Sequence, residues 1–214
     1  MPDNTPAPLR RHGLVLGTAA FVAALVLGVV NLLTADRILA QQEAAERRAL
    51  AEILPQEMHD NDLLEDTFVL TPESTAFISL ELLGLTTERL AYPARMNKDF
   101  AGIILPLEVH NGYSGDIFLL VGIREDGTIS GVRVLQHTET PGLGDKIDIG
   151  VSDWILSFDG RSLENPPPSR WRVVKDGGDF DQFVGATVTP RALVAGVYRA
   201  LEFFSLNRES LDRQ

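Results

Sequence analysis

No cysteine occurs among the 214 residues. The chain therefore forms no disulfide, supplies no thiolate to an iron–sulfur cluster and attaches no haem through Cys-x-x-Cys-His. Histidine is scarce too: His12, His59, His110 and His137 show no paired spacing for a metal, so no metal site is expected, and only His137 stands beside a motif worth testing. Positive charge is short, with 19 Lys and Arg against 30 Asp and Glu and a formal net charge of −11. That balance excludes nucleic acid as a partner, because phosphate binding needs clustered basic side chains. A redox centre in such a chain has to be an organic cofactor or a haem held in another way.

What is present begins with a long uncharged run. Gly13 to Leu33, GLVLGTAAFVAALVLGVVNLL, spans roughly 30 Å as a helix, the thickness of a bilayer core. A cleaved signal has an apolar core of about 7 to 15 residues ending at a small-residue site. The run is longer, and Ala35-Asp36-Arg37-Ile38-Leu39-Ala40 is not such a site, so an uncleaved anchor in the lipid bilayer is expected. Arg10 and Arg11 precede the span, while Arg37, Arg47 and Arg48 follow it. The short tail abutting two arginines favours the N-terminus inside and the large domain outside the cytoplasm. The expected organisation is a short cytoplasmic tail over 1–12, a transmembrane helix over 13–34, a helical stalk over 35–55 ended by Pro55, and one extracytoplasmic domain over 56–214. The span holds no ionisable group, so any ion path is expected in partner subunits.

Within the domain, Thr67 to Leu70, Ala101 to Val109 and Asp116 to Ile123 are rich in Ile, Leu, Val and Phe and read as strands. Glu125-Asp126-Gly127 reads as a hairpin turn into Thr128 to Gln136. A short helix is expected around Ser152 to Phe158 with Ser152 as its cap, and a strand over Trp171 to Val174. Thr189 followed by Pro190 reads as an N-cap and first helical residue, because Leu193, Val194, Val197, Leu201 and Phe204 then recur at helical spacing. The fold class is α+β, with an antiparallel sheet and flanking helices.

Two segments carry chemistry. In Asp181-Gln182-Phe183-Val184-Gly185-Ala186-Thr187, Gly185 and Ala186 leave the backbone nearly bare beside Thr187, and a helix follows whose free N–H groups and positive dipole end favour a phosphate. A threonine hydroxyl is a poor nucleophile without a base, and none is evident in this segment. Upstream, His137-Thr138-Glu139-Thr140-Pro141-Gly142-Leu143-Gly144-Asp145-Lys146 makes a tight glycine turn with exposed amides. By themselves these residues also describe loops with nothing bound, as in a membrane-anchored sensor or scaffold.

Together, and with Gly112-Tyr113-Ser114-Gly115-Asp116 before them, the segments resemble the FMN-binding domain of the G subunit of the Rnf ion-translocating complex. They also resemble its relative, the C subunit of the sodium-pumping NADH:quinone oxidoreductase. The resemblance runs from about Gly112 to Val197, and the anchor extends it. It implies FMN esterified through its phosphate to Thr187, with Gly185 and Ala186 beside it and a separate FMN transferase that installs it and reads Asp181. It further implies that Thr140, Gly142, Leu143 and Gly144 lie against the flavin ring. The usual Ser or Thr before the glycine is Val184 in this chain. The function implied is electron transfer in a ferredoxin/NAD complex of the inner membrane coupled to ion movement, with other membrane and peripheral subunits as partners and the domain periplasmic. The Rnf type is favoured by the His137-Thr138-Glu139-Thr140 lead into the turn.

Overall fold

The computed structural model describes residues 7–214, so the first six residues of the tail expected over 1–12 lie outside the described part. The chain divides into two compact units, Met1–Ala45 and Glu46–Gln214. The first helix, α1, runs Ala7–Ile53. Within it, His12–Ala35 is long and apolar enough to cross a membrane, and none of that stretch is buried against protein. Leu14, Leu16, Phe21, Leu27, Leu32 and Leu33 all stand exposed. A helix that is apolar on every side is suited to lipid as its surroundings.

The second unit is built on one antiparallel sheet in the order β1-β2-β3-β4-β5, each strand beside its neighbour in sequence. The strands are β1 Phe68–Leu70, β2 Arg89–Met96, β3 Asp99–Val109, β4 Ile117–Arg124 and β5 Ile129–Gln136. Side chains alternate across a strand, and here both faces are covered. Ile103, Leu105, Leu107, Leu119, Val121 and Ile123 pack on one side with Leu193, Val194, Val197, Leu201 and Phe204 of α2, Val188–Asp212. Ile104 and Leu120 point the other way, into a cluster with Ala49, Leu50, Ile53, Leu54 and Tyr92. The last turns of α1 thus pack as part of the second unit, and Tyr92 donates its hydroxyl proton to Glu46.

A pair of glycines makes room for that end of α1. Gly122 on β4 stands opposite Gly131 on β5. A Cβ on Gly122 would collide with Ile53 Cγ2, and one on Gly131 would come within 3.1 Å of Ile53 Cα. Close approach of helix to sheet is what glycine permits in a strand.

The hairpin at Glu125-Asp126-Gly127 forms as expected, with Gly127 at φ +82. Strand β2 has no counterpart in the sequence reading. Pro93 and two arginines interrupt its apolar pattern, yet Pro93 pairs with Ile103, and a register shift at Ala94/Arg95 accommodates the irregularity. Asn97 and Lys98, both at positive φ, close the β2–β3 hairpin. The strand expected over Trp171 to Val174 is not formed. Single-turn helices flank it at Pro168–Arg170 and Val174–Asp176, and only an isolated bridge joins Val173 to Phe180. Trp171 is instead drawn into the core against Phe158, Phe180 and Tyr198, with its Nε1 donating to Ser162 O at 3.1 Å. The expected helix after Ser152 is a short 3-10 segment, Asp153–Phe158, and Ser152 Oγ caps it by accepting from Trp154 N.

Gly122→Ala should destabilise the domain by about 1–3 kcal/mol through overpacking against Ile53. In an Ile53→Ala background the Ile53 clash is gone and Ser130 Oγ, 2.4 Å from the same Cβ, is left as the near obstacle, so the cost should fall. Urea unfolding of the four-member cycle measures this; equal costs in both backgrounds would show that the helix end is not the obstacle.

Candidate functional site

The segment before α2 is pinned at both ends and bare in the middle. Trp154 Nε1 donates to the Asp181 carbonyl at 2.8 Å, leaving the Asp181 side chain exposed. Lys175 N donates to Gln182 Oε1 at 3.0 Å. Phe183 is buried, edge-on to Trp154 with ring centroids 5.1 Å apart. Val184 then projects outward, 90 % exposed. Gly185 follows at φ +84, a left-handed conformation that a side chain would strain. Ala186 turns inward, and Thr187, half-buried, ends the loop.

Here the structure corrects the sequence reading. Helix α2 begins at Val188, so Thr187 itself occupies the cap position, and no side chain caps the helix. Thr189 is not the cap: it is fully buried, and its hydroxyl donates to Glu139 Oε2 at 2.6 Å. A buried carboxyl needs donors, and a hydroxyl inside the first turn supplies one more effectively than it would serve a solvent-facing backbone N–H. Pro190 falls deeper in the first turn than expected, still where its missing N–H costs nothing.

The glycine turn lies directly against this segment. Both Leu143 N and Gly144 N bond to Thr140 O at 3.1 Å, and Gly142 makes the turn possible at φ +76. Leu143, 42 % exposed, sits so that its Cδ2 is 3.6 Å from where a Gly185 Cβ would stand. Gly144 has ordinary helical torsions and is required for a different reason: a Cβ there would collide with Glu139 Oε2 and lie 3.1 Å from Thr189 Oγ1. The expected site residues Leu143, Gly144, Gly185, Ala186 and Thr187 are thereby brought together. Thr140 and Gly142 stand exposed in the same turn, and Asp181 stands exposed at the start of the 181–187 segment.

Glu139, only 4 % exposed, is the residue that sequence reasoning passes over. Its Oε1 accepts from Ser114 N at 3.0 Å, and Thr138 Oγ1 donates to Ser114 O at 3.0 Å. Gly112 belongs to the same arrangement, since a Cβ on it would stand 2.8 Å from Glu139 Oε1. His137 serves the same loop by accepting from Glu139 N at its Nδ1, 3.1 Å away. Among the described residues, no group of three or more His, Asp or Glu is placed to hold a metal.

The base of the Gly112–Gly115 loop is clasped by His110, just after β3, and Asp116, just before β4, with Nδ1 3.1 Å from Oδ1. The other ring nitrogen lies 2.6 Å from Gly84 O. The Gly84 carbonyl above all, then the Asp116 carboxylate and the nearby charge of Glu108, raise the pKa of His110 against partial burial, which lowers it. Stability from this clasp is therefore complete below the ordinary histidine value of about 6.5 and lost as pH rises through the higher native value. His110→Gln should lower the melting temperature at pH 6 and have little effect at pH 9. Equal losses at both pH values would show that the clasp does not depend on the imidazolium.

Residues 112–202 match the family described as FMN-binding domain, and residues 1–53 match the RnfG N-terminal region. Three similar proteins are each named as the G subunit of an ion-translocating oxidoreductase complex. One from Vibrio atlanticus (strain LGP32) is 42 % identical over 203 residues, covering 95 % of this chain and 93 % of its own. One from Pseudomonas aeruginosa (strain UCBPP-PA14) is 45 % identical over 211 residues, covering 99 % and 95 %. One from Shewanella loihica (strain ATCC BAA-1088 / PV-4) is 40 % identical over 201 residues, covering 94 % and 92 %. The buried Glu139 hub, the two glycine loops and the helix start at Thr187 all fall within the FMN-binding match, while the apolar helix falls within the N-terminal one, and the chain belongs to the family of G subunits of ion-translocating oxidoreductase complexes.

Proposed function

We propose that this chain is the flavin-carrying electron-transfer subunit of such a complex, with FMN esterified through its phosphate to Thr187. The position of Thr187 carries the reading. It stands at the uncapped start of a 25-residue helix, after a left-handed glycine, with the Leu143 loop alongside. The helix N-terminus favours the negative charge of a phosphodiester. Leu143 and Val184 offer apolar surface to a ring system, and open space surrounds the position of a Gly142 Cβ. Thr140, Gly142, Leu143 and Gly144 would flank the ring, and Gly185 and Ala186 the phosphate and ribityl chain.

When bound, the flavin accepts and releases electrons, and the residues of the chain hold it and set its surroundings. An FMN transferase would recognise the exposed Asp181 and supply the base that Thr187 lacks. The hydroxyl oxygen bonds to phosphorus as the nucleotide's leaving group departs and the hydroxyl proton passes to that base. With no ionisable residue between Gly13 and Leu33, ion movement falls to other membrane subunits. We assign residues 13–34 to an inner-membrane span, 1–12 to the cytoplasmic side and 56–214 to a periplasmic flavin domain joined by 35–55.

Thr187→Ala should abolish covalent flavin, read as loss of in-gel flavin fluorescence after denaturing electrophoresis, with the melting temperature changed little. Retained covalent FMN would remove the acceptor assignment. Orientation has its own test: Gln214→Cys creates the sole thiol of the chain, on an exposed terminal residue. It should react in intact spheroplasts with a reagent that cannot cross membranes. Labelling only after permeabilisation would put the domain in the cytoplasm.

A further inference from the structure

We propose that Glu139 is the positioning residue of the flavin-bearing threonine, holding the start of α2 and both glycine loops in one geometry; the inference rests on Thr187 as the attachment point. Its two carboxyl oxygens are divided between separate parts of the chain. Oε1 takes Ser114 N from the 112–115 loop, and Oε2 takes the Thr189 hydroxyl from the first turn of α2. The second bond joins residues 50 apart in sequence and anchors the helix only two residues beyond Thr187. The third segment, the glycine turn, closes over the same carboxyl through Gly144, where any side chain would strike Oε2.

The chemistry of the donors explains a carboxyl at this position. Two donors converge on it, an amide N–H and a hydroxyl, and a carboxylate offers an acceptor to each without reorientation. An aliphatic residue would leave the buried Thr189 hydroxyl without an acceptor and free the part-buried Ser114 N–H from the loop it ties down. The carboxylate also lies at the positive end of the α2 dipole, where negative charge is favoured. Gln is the informative neighbour: its oxygen replaces Oε1, while its NH₂ can donate to the Thr189 oxygen once that hydroxyl rotates. Connectivity then survives without the charge.

Thr187 is presented to its transferase only if the first turn of α2 is held, so loss of the link should slow attachment. The full-length protein in detergent, incubated with FMN transferase and its flavin nucleotide, is followed by intact mass. Glu139→Ala should slow covalent loading by about tenfold or more, as expected from one buried donor left unpaired. Flavin anisotropy in the loaded fraction should fall as the flanking loops loosen. Glu139→Gln should restore loading to within about threefold of the parent. Ile53→Ala, in the core cluster on the opposite sheet face, controls for lost stability and should load at the parent rate. If Glu139→Ala fails to fold, Thr189→Val breaks the same link while preserving side-chain volume and should show the slowing. Loading at the parent rate with unchanged anisotropy in Glu139→Ala, or in Thr189→Val, would overturn the proposal. So would equal slowing in Ile53→Ala. FMN mapped in the parent to a residue other than Thr187 would overturn the acceptor reading and this inference together, and is distinguished by the peptide map.

Discussion

The geometry of the candidate flavin site depends on one buried carboxyl. Glu139 binds Ser114 through one oxygen and Thr189 through the other, and the glycines at 112 and 144 exist where any side chain would crowd it. Three loops that are distant in sequence are ordered by these contacts, and ordering loops is costly in conformational entropy. A hydrogen bond to a charged group contributes more than a neutral one, and leaving a buried partner unpaired costs more again. Concentrating both bonds on a single side chain therefore makes the arrangement cooperative: Thr187 is held because Thr189 is held. The glycines do different work from one another. Gly142 and Gly185 supply left-handed turns, whereas Gly112 and Gly144 supply space.

The scaffold behind the site follows from a sheet that is apolar on both faces. The meander from β1 to β5 is covered on one side by α2 and on the other by the last turns of α1, with Gly122 and Gly131 admitting Ile53. Burial of this kind makes the sheet and α2 a rigid base, and the loops at the start of α2 inherit that rigidity. Functional groups at loop ends of a packed scaffold suit an electron carrier, which has to expose its cofactor to a partner without letting it wander. The absence of cysteine and the family membership agree in assigning the redox chemistry to an organic group.

Much of this is legible in the sequence, for physical reasons that differ by element. Strand β3 declares itself through a nearly unbroken apolar run, and the core face of α2 through its helical spacing. The anchor is plain because 21 uncharged residues have few alternatives to a bilayer. Strand β2 is hidden because Pro93, Arg89 and Arg95 break its pattern, and pairing with β3 overrides local preference. Trp171 misleads in the opposite direction: a bulky residue with strand preference is claimed by an aromatic cluster instead. Thr189 misleads because a threonine before a proline looks the same whether its oxygen accepts from the backbone or its proton goes to an acid 50 residues away. Nothing local marks Glu139 as buried; only the third dimension brings its two donors to it.

The claim on which the functional reading turns is that Thr187 bears the flavin. Its most direct test is the intact mass of the full-length protein produced beside an active FMN transferase, followed by fragmentation of its peptides. A single FMN adduct is predicted on the peptide containing Gly185-Ala186-Thr187, with fragment ions assigning it to the threonine. Protein that stays unmodified while the transferase loads a control substrate, or an adduct on any other residue, would contradict it.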